Sequence, residues 1–263
     1  MTLRGKSEHW PMNIKLIVTD LDGTLLRRDK TVSKYTAQVL QRIRNRGVLL
    51  AFATARDFRF VTEYITPLSG ITPDILIADN GALACCGDIE IYKKMIPGKT
   101  VSALISQFKT VRSVSTEDAY YLSGDFSKDH WSIGKKATVI TDFSTEIMND
   151  ALYVDGIPIN HSSLIENYPE IRTVFYSDVE LITAVHCEAT KLNALNAVIN
   201  ALNIDLSETV VFGDDYSDIS AIQKGGVGVA VANAIDEVKA VADYICDTND
   251  NDGVARWLEE HML

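Results

Sequence analysis

The sequence has 263 residues, of which 46% are hydrophobic and 23% are charged, and its formal net charge at pH 7 is −11. This composition is typical of a globular protein and excludes a largely disordered chain. The acidic balance disfavours nucleic acid and anionic membranes as partners, so any anionic ligand would need a local positive site.

The sequence also restricts where the protein acts. It contains no run of about 18 apolar residues, which a transmembrane helix would require. Residues Met1 to Asn13 are polar and lack the apolar core of a signal peptide. The four cysteines include no C-x-x-C pair of the kind that binds a metal. We therefore expect a cytoplasmic protein that is a monomer or a weak homodimer.

The first part of the chain alternates predicted strands and helices. Short apolar runs predict buried strands, and apolar residues at helical spacing predict the helices between them. Pro67 is expected to end the second helix. Such alternation favours a parallel sheet with right-handed crossovers. The predicted elements are strand Lys15–Thr19, helix Lys34–Arg46, strand Val48–Ala53, helix Phe58–Thr66 and strand Ile75–Ala78.

The pattern changes in the middle of the chain and returns near Glu188. The middle strands are more polar and are separated by turn signals, which indicates an inserted α+β unit. Its predicted strands are Ile89–Tyr92, Ala119–Leu122, Ala137–Ile140 and Thr173–Ser177, with helices from Pro97 to Lys109 and from Asn160 or His161 to Tyr168. The later elements are helix Lys191–Leu202, strands Thr209–Phe212 and Val227–Ala230, helix Ala234–Ala242, strand Ala242–Cys246 and helix Gly253–Glu260.

These patterns predict an α/β protein with two parts. Residues 1–82 and 186–263 should form a doubly wound, parallel-sheet core. Residues 83–185 should form the inserted α+β cap domain, joined to the core by two linkers. We expect the cap to close over the core and to set substrate choice, because an insert with two linkers suits hinge closure.

Two carboxylates follow the first predicted strand, in the stretch Asp20-Leu-Asp22-Gly-Thr24. The carboxyl ends of parallel strands carry ligand sites in open α/β sheets. Side chains two positions apart on an extended chain point the same way, and Gly23 allows the chain to turn away. Because two adjacent carboxylates repel each other, they need a cation or a shared proton.

Three further polar segments are predicted at the same sheet edge. Thr54-Ala-Arg56 follows the second strand, Lys191 opens a helix, and Asp214 to Asp218 follow the strand Thr209–Phe212. One such segment alone could be a solvated loop or a helix cap. Hydroxyl, acidic and lysine side chains converging in this chain order indicate a catalytic site.

The string Asp20-Leu-Asp-Gly-Thr-Leu-Leu26, together with these segments, resembles the haloacid dehalogenase (HAD) superfamily, and the long insert is similar to the cap of its Cof-type phosphatases. The match covers both core halves by motif and the cap by position and length only. The resemblance implies an HAD-like Rossmannoid core. It also implies Mg²⁺-dependent hydrolysis of a small phosphorylated metabolite, such as a sugar phosphate, through an aspartyl-phosphate intermediate.

The resemblance also implies a role for each motif residue. Asp20 would be the nucleophile and Asp22 the general acid/base, while Thr54 and Lys191 would bind the phosphoryl group. Asp20, the main-chain carbonyl of Asp22, and Asp214 would hold the metal. The remaining implied residues are Leu21, Ala55, Arg56 and Ser217 as substrate contacts and Asp215 and Asp218 as supports of the metal site.

Two of the motif residues, Ser217 and Asp22, lead to further predictions. The family usually has Asn at the position of Ser217. Serine offers one hydroxyl donor with a shorter reach, so a bridging water could replace a direct phosphate contact. We also expect neighbouring carboxylates to raise the pKa of Asp22 enough for it to protonate the leaving group.

Substrate specificity is less determined by the sequence. Arg59 lies close to the predicted site, where a surface role is an equal alternative. The aromatic side chains of the insert either line a pocket over the leaving group, or form the insert's own small core or a solvated sheet face. Two other functions stay open: a phosphomutase that uses the same aspartyl-phosphate, and a catalytically silent regulatory protein that binds a phosphorylated ligand. The aromatic cluster consists of Tyr120, Tyr121, Phe126, His130 and Trp131.

Overall fold

The computed structural model describes residues 13–124, 137–143, 147, 149–177 and 181–263, which form two sheets with flanking helices. The strands are β1 Leu16–Thr19, β2 Leu49–Ala53, β3 Ile75–Ala78, β4 Leu83–Cys86, β5 Ile89–Lys93, β6 Phe108–Thr116, β7 Tyr120–Ser123, β8 Ala137–Ile140, β9 Ala151–Pro158, β10 Ile171–Phe175, β11 Ile182–His186, β12 Thr209–Gly213, β13 Val227–Ala230 and β14 Tyr244–Ile245. The helices are α1 Lys34–Arg44, α2 (three consecutive segments, Phe58–Phe60, Val61–Ile65 and Thr66–Ser69), α3 Gly98–Ile105, α4 His161–Asn167, α5 Lys191–Leu202, α6 Ile219–Lys224, α7 Asp236–Val241 and α8 Gly253–Met262.

The larger sheet has the strand order β14-β13-β12-β1-β2-β3-β4-β5, and its first six strands in this order are parallel. Strand β1 lies between β12 and β2, and every side chain of β1 is buried. Helices cover the sheet, and the aromatic rings of Phe52 and Phe212 are fully buried in its core. The predicted doubly wound α/β core is therefore confirmed.

The predicted start of the insert at Leu83 is wrong. Strand β4 pairs antiparallel with β3, and β5 pairs with β4, so both strands extend the larger sheet. Gly81 has a φ of +85° and lies against the main chain of Thr190, where a side chain would collide. This glycine lets the chain reverse after β3 and return along the sheet edge.

The smaller sheet is built from the segment between β5 and α5. Its order is β10-β11-β9-β6-β7-β8, and all its pairs are antiparallel except β7 with β8. Helices α3 and α4 pack on one face through a cluster that includes Leu104, Val154 and Leu164. The opposite face turns toward the larger sheet, where Leu83, Tyr153 and Val185 share a third cluster. The structure is therefore a core with an inserted α+β cap, as predicted.

Several details of the cap differ from the prediction. Strands β6, β9 and β11 were not predicted, and the helix expected to reach Lys109 ends at Ile105. Strand β6 carries the polar residues Arg112, Ser113 and Ser115, which weaken its apolar signal. Their burial is decided by the neighbouring sheet rather than by local sequence.

Helix α2 continues through Pro67 instead of ending there. The segment Val61–Ile65 is a π-helical turn, and Pro67 lies in the first turn of the segment Thr66–Ser69. A proline in a first turn has no N–H that needs a partner, so it is tolerated. The helix ends at Gly70, which has a φ of +67°. Every helix in the described ranges is too short or too polar to cross a bilayer.

Candidate functional site

Three carboxylates and one lysine meet where the parallel strands end. Asp20 follows β1, Asp214 follows the adjacent β12, and Lys191 is the first residue of α5. The Nζ atom of Lys191 donates to Oδ1 of Asp20 at 2.7 Å and to Oδ1 of Asp218 at 2.6 Å. Asp20, Asp214 and Asp218 each offer one oxygen atom, and these oxygens lie within 4.8 Å of one another. The structure thus brings together the predicted nucleophile, the predicted phosphate-binding lysine and two of the acids predicted near the metal.

The loop after β12 is held by Asp218. Its Oδ2 atom accepts from the main-chain N–H groups of Asp214 at 3.1 Å and Asp215 at 3.2 Å. Both carboxylate oxygens of Asp218 are therefore engaged, one by Lys191 and one by the loop. Asp215 accepts from the N–H of Tyr216 at 2.9 Å and so begins the short helical turn Tyr216–Asp218. These contacts fit the supporting roles predicted for Asp215 and Asp218.

The turn after β1 places the Asp214 carboxylate. Gly23 has a φ of +80°, and a Cβ atom at this position would collide with the Asp214 carboxylate. The next residue, Thr24, donates from Oγ1 to Oδ1 of Asp214 at 2.5 Å. A residue with a side chain in place of Gly23 would therefore strain the turn and displace the carboxylate.

Burial and mutual repulsion shift the pKa values of the acids in this cluster. Burial raises the pKa of Asp20 to about 7, against the opposing attraction of Lys191. Burial and the charges of Asp20 and Asp218 raise the pKa of Asp214 to about 9. Burial acts to lower the pKa of Lys191, but Asp20 and Asp218 outweigh it and raise the pKa. Acids that resist ionisation together are a suitable donor set for a divalent cation, because its charge favours their ionised forms.

The environment of Asp22 differs from the prediction. Arg56 forms a bidentate ion pair with its carboxylate, with Nη2 at 2.7 Å from Oδ1, and Nζ of Lys30 lies 2.8 Å from the same oxygen. Burial acts to raise the pKa of Asp22, but these two cations outweigh it and lower the pKa. The expectation that neighbouring acids raise this pKa is therefore wrong.

Lys30 was missed because it lies in a turn seven residues beyond Gly23 with no motif of its own. The turn closes through a hydrogen bond from the N–H of Lys30 to the carbonyl of Arg27 at 2.8 Å, and Lys30 has a φ of +65°. Only the folded turn brings its ammonium group to Asp22. Two cations beside one carboxylate give this part of the acidic chain a local excess of positive charge.

The other predicted substrate contacts divide into two groups. Thr54 is buried after β2, where its Oγ1 atom accepts from the N–H of Arg56 at 3.1 Å. Thr54, Ala55 and Ser217 line the cavity above the carboxylates. Leu21 is fully buried in the hydrophobic core and does not line this cavity. Its side chain is therefore not a substrate contact.

A cavity of about 370 Å³ joins these core residues to the open face of the cap. Among the predicted aromatic residues, Tyr120 lines the cavity, whereas Tyr121 packs against the cap's own hydrophobic cluster. Phe126, His130 and Trp131 lie outside the described residues. The sequence analysis missed most of the cap wall, because several wall residues lie on β6, β9 and β11, which were not predicted, and others lie just outside β10 and β11. The missed wall residues are Arg112, Tyr153, Asp155, Tyr176, Leu181 and Thr183.

Arg59 joins the core to the cap rather than facing solvent. It forms a bidentate pair with the fully buried carboxylate of Asp57, with Nη2 2.7 Å from Oδ2. The same Nη2 atom donates to Oγ of Ser115 on β6 at 2.9 Å, and Nη1 donates to the carbonyl of Thr116 at 3.2 Å. Ser115 in turn donates to Oδ2 of Asp57 at 2.8 Å. This network fixes one edge of the cap to helix α2.

Comparisons with known proteins agree with this architecture. A family model for haloacid dehalogenase-like hydrolases matches residues 17–258. The chain is 27% identical to the 5-amino-6-(5-phospho-D-ribitylamino)uracil phosphatase YitU of Bacillus subtilis, covering 94% of this chain and 97% of that one. It is 28% identical to the putative phosphatase YxeH of the same organism, covering 95% and 98%. A solved haloacid dehalogenase-like hydrolase from B. subtilis superposes with a TM-score of 0.80 at 26% identity, covering 95% of this chain and all of that one.

Proposed function

Because the chain belongs to the haloacid dehalogenase-like hydrolase family, we propose that it is a Mg²⁺-dependent phosphatase that hydrolyses a small phosphorylated metabolite, such as a sugar phosphate, through an aspartyl-phosphate intermediate. The observation that carries this proposal is that Asp20 lines the acidic floor of the cavity and pairs at 2.7 Å with the buried Lys191. A buried carboxylate beside a cation is a suitable nucleophile for an electrophilic phosphorus atom.

Asp20 would carry the covalent step. Lys191 engages its Oδ1 atom, so the second oxygen attacks the phosphorus while the bond from phosphorus to the leaving oxygen breaks. Water then attacks the phosphorus of the aspartyl-phosphate, which releases inorganic phosphate and restores the carboxylate. Two displacements of this kind replace one difficult hydrolysis by two easier steps.

The phosphoryl group would be held by positive and hydrogen-bonding groups. Its transition state spreads negative charge over three oxygens, so positioning and positive charge provide most of the catalysis. Lys191 supplies a buried positive charge beside Asp20, and Thr54 lines the cavity itself. Mg²⁺, held by Asp20, Asp214 and the main-chain carbonyl of Asp22, would supply further charge neutralisation when bound.

Asp22 would move the protons. Its ionised form, favoured by Arg56 and Lys30, can accept a proton from the water that attacks the aspartyl-phosphate. In the first step Asp22 must instead be protonated, because it gives a proton to the leaving oxygen. We infer that Arg56 and Lys30 turn toward the substrate phosphate when it binds, which would remove their stabilisation of the Asp22 carboxylate.

The size of the cavity supports a small substrate. Ligand pockets range from about 300 to 1,000 Å³, and this cavity of about 370 Å³ is near the lower limit. The relative YitU is named for a substrate with a phosphorylated ribityl chain. A sugar or polyol phosphate has a comparable reacting end, so this class is the first to test.

The test is phosphate release from a panel of phosphorylated metabolites and from 4-nitrophenyl phosphate, with Mg²⁺ or with EDTA. We expect turnover with Mg²⁺ and none with EDTA. Calcium should replace Mg²⁺ poorly, because it takes more ligands at longer distances and can bind a carboxylate through both oxygens. Full activity in EDTA would contradict the proposed site. Isomerised sugar phosphate without phosphate release would indicate a phosphomutase, and phosphate binding without turnover would indicate a silent regulatory protein.

A further inference from the structure

The cap wall of the cavity contains a tyrosine hydroxyl to which the described part of the chain offers no hydrogen bond. Tyr153 lies on β9, lines the cavity and is only 6% exposed. None of the hydrogen bonds among the described residues involves its hydroxyl. The residue as a whole is buried, but its hydroxyl oxygen is not among the fully enclosed polar atoms without a partner, so it opens into the cavity and has room for one. A ligand in the cavity would supply it.

The alternation of β9 explains why this side chain faces the cavity. Val154 packs beneath the cap helices, so its neighbours Tyr153 and Asp155 point to the opposite face, toward the core. The pairing of β9 with β6 places Ser115 opposite Tyr153 and Ser113 opposite Asp155. The cavity side of β9 is therefore a polar surface built on a rigid strand.

Asp155 and Arg112 form the charged part of this surface. Nη1 of Arg112 lies 3.7 Å from Oδ2 of Asp155. Two hydroxyls, those of Ser113 and Thr183, each donate to the same carboxylate at 3.4 Å. One cation and one anion side by side carry no net charge, but they offer both donors and acceptors. A hydroxyl group, which donates and accepts, matches such a surface better than a charged group does.

Tyr153 retains its proton in this environment. Burial, followed by the influence of Tyr120, Asp57 and Asp79, raises the pKa of Tyr153 well above its ordinary value. Its hydroxyl is therefore an O–H donor throughout the physiological range. A proton donor that opens into the cavity and has no acceptor among the described residues is suited to an oxygen atom of the bound molecule.

We propose that Tyr153 is a specificity-determining residue whose hydroxyl donates a hydrogen bond to an oxygen of the leaving group, and that the adjacent Arg112–Asp155 pair selects an uncharged, hydroxyl-rich alcohol. The inference rests on the proposed phosphatase function, because the phosphoryl group fixes which end of the substrate faces the cap. A carboxylate on the leaving group gains no net attraction from this wall, because Arg112 is already paired with Asp155.

The experiment compares Tyr153→Phe with wild type on three substrates: a hexose 6-phosphate, phosphoglycolate and 4-nitrophenyl phosphate. The wild type should prefer the hexose phosphate to phosphoglycolate. The variant loses one hydroxyl and keeps the ring, so kcat/KM for the hexose phosphate should fall about tenfold. The value for 4-nitrophenyl phosphate, whose leaving group lacks hydroxyls, should change less than about twofold.

Tyr168→Phe is the matched control, because Tyr168 packs against the hydrophobic cluster on the helix-covered face of the cap and does not line the cavity. Tyr168→Phe should leave the ratio of kcat/KM for the hexose phosphate to kcat/KM for 4-nitrophenyl phosphate unchanged. Inhibition by inorganic phosphate should also be unchanged in Tyr153→Phe, because the hydroxyl contacts only the leaving group. Three results would overturn the inference while leaving the phosphatase function intact. The first is that Tyr153→Phe does not change the ratio of kcat/KM for the hexose phosphate to kcat/KM for 4-nitrophenyl phosphate. The others are weaker phosphate inhibition in this variant and a wild-type preference for phosphoglycolate. Absence of turnover on every ester would instead overturn the proposed function, and the inference with it.

Discussion

At the scale of single residues, the site depends on one lysine shared between two carboxylates. Lys191 is 2% exposed, and both of its partners, Asp20 and Asp218, are also buried. Isolated charges are costly to bury, so each of these groups requires the others. Lys191 contacts only Oδ1 of Asp20. The other oxygen, which has no cation beside it among the described residues, is the one that the proposed reaction uses.

Asp20→Asn tests the nucleophile. The amide has nearly the same shape but is a poor nucleophile and a poor metal ligand, so kcat should fall by at least about 1,000-fold. The melting temperature should not decrease, because the substitution removes one of the mutually repelling acids and leaves Lys191 paired with Asp218. Phosphate release and thermal melting are measured on the same preparation. Activity within tenfold of wild type would remove Asp20 from the mechanism.

The raised pKa values of Asp20 and Asp214 predict a pH dependence of stability in EDTA. The folded protein holds these protons up to about pH 7 and about pH 9, whereas an unfolded aspartate releases its proton near pH 3.8. Between the pKa of an aspartate in the unfolded chain and the raised pKa in the folded protein, the folded state binds more protons than the unfolded state. The free energy of unfolding therefore falls as pH rises. The melting temperature in EDTA should therefore be lower at pH 8 than at pH 5.5.

Asp214→Asn supplies the control for this pH dependence. The variant cannot ionise at position 214, so its melting temperature should fall less between the two pH values. A wild-type protein that becomes more stable from pH 5.5 to pH 8 in EDTA would contradict the assigned direction. Added Mg²⁺ should reduce the pH-dependent loss, because a cation favours the ionised carboxylates.

At the scale of elements, hydrogen bonds from a buried ion pair at the start of helix α2 connect this helix to strand β6. Asp57 begins α2 and is fully buried, and Arg59 carries the connection from Asp57 to Ser115. The contact combines charge pairing with hydrogen bonds to the cap main chain at Thr116. Because it lies beside the cavity, it holds the cap wall in place over the core.

Arg59→Met tests this connection. The substitution leaves the Asp57 carboxylate buried without its cation, which should lower the free energy of unfolding by about 3 kcal/mol. Arg42→Met is the control, because Arg42 forms an exposed pair with Glu259 and such pairs contribute at most about 1 kcal/mol. Urea denaturation of both variants gives the comparison. Equal effects of the two substitutions would show that the Asp57–Arg59 pair does not stabilise the structure.

At the scale of the whole molecule, the proposed catalytic groups come from two separate parts of the chain. Asp20 and Thr54 precede the cap, whereas Lys191 and Asp214 follow it. The adjacent pairing of β1 with β12 brings both parts to one edge of the sheet. A ligand bound there would contact both halves of the core, so its binding energy would oppose their separation.

This arrangement predicts stabilisation by ligands. Inorganic phosphate with Mg²⁺ should raise the melting temperature, with a gain of about 2.7 kcal/mol in stability when the ligand is at 100 times its dissociation constant. Lys191→Met should lose most of this ligand-dependent gain, because it removes the buried cation that pairs with Asp20 in the cavity lining. Tyr168→Phe, remote from the cavity, should retain it. An equal gain in wild type and Lys191→Met would contradict the assignment of Lys191 to phosphate binding.

The sequence alone determined the core and most of the proposed chemistry. Buried strands such as β1 and β12 have continuous apolar runs, and polar residues directly after them must lie at the carboxyl edge of a parallel sheet. The family assignment and the fold class, both predicted from Asp20 to Leu26 and the later segments, are confirmed. These features depend on local patterns, so they can be read without knowledge of the packing.

Only the tertiary structure decided the partner of Asp22, the place where the cap begins and the residues that line the cavity. Arg56 is 34 residues from Asp22 along the chain, and Lys30 reaches Asp22 only through a folded turn; their pairing reverses the pKa direction expected from the neighbouring acids. Strands β4 and β5 join the core because Gly81 reverses the chain. On the cavity face of β9, Asp155 is polar although buried, so the apolar run of this strand stops after Val154. Contacts between remote segments set these features, and local sequence patterns do not record them.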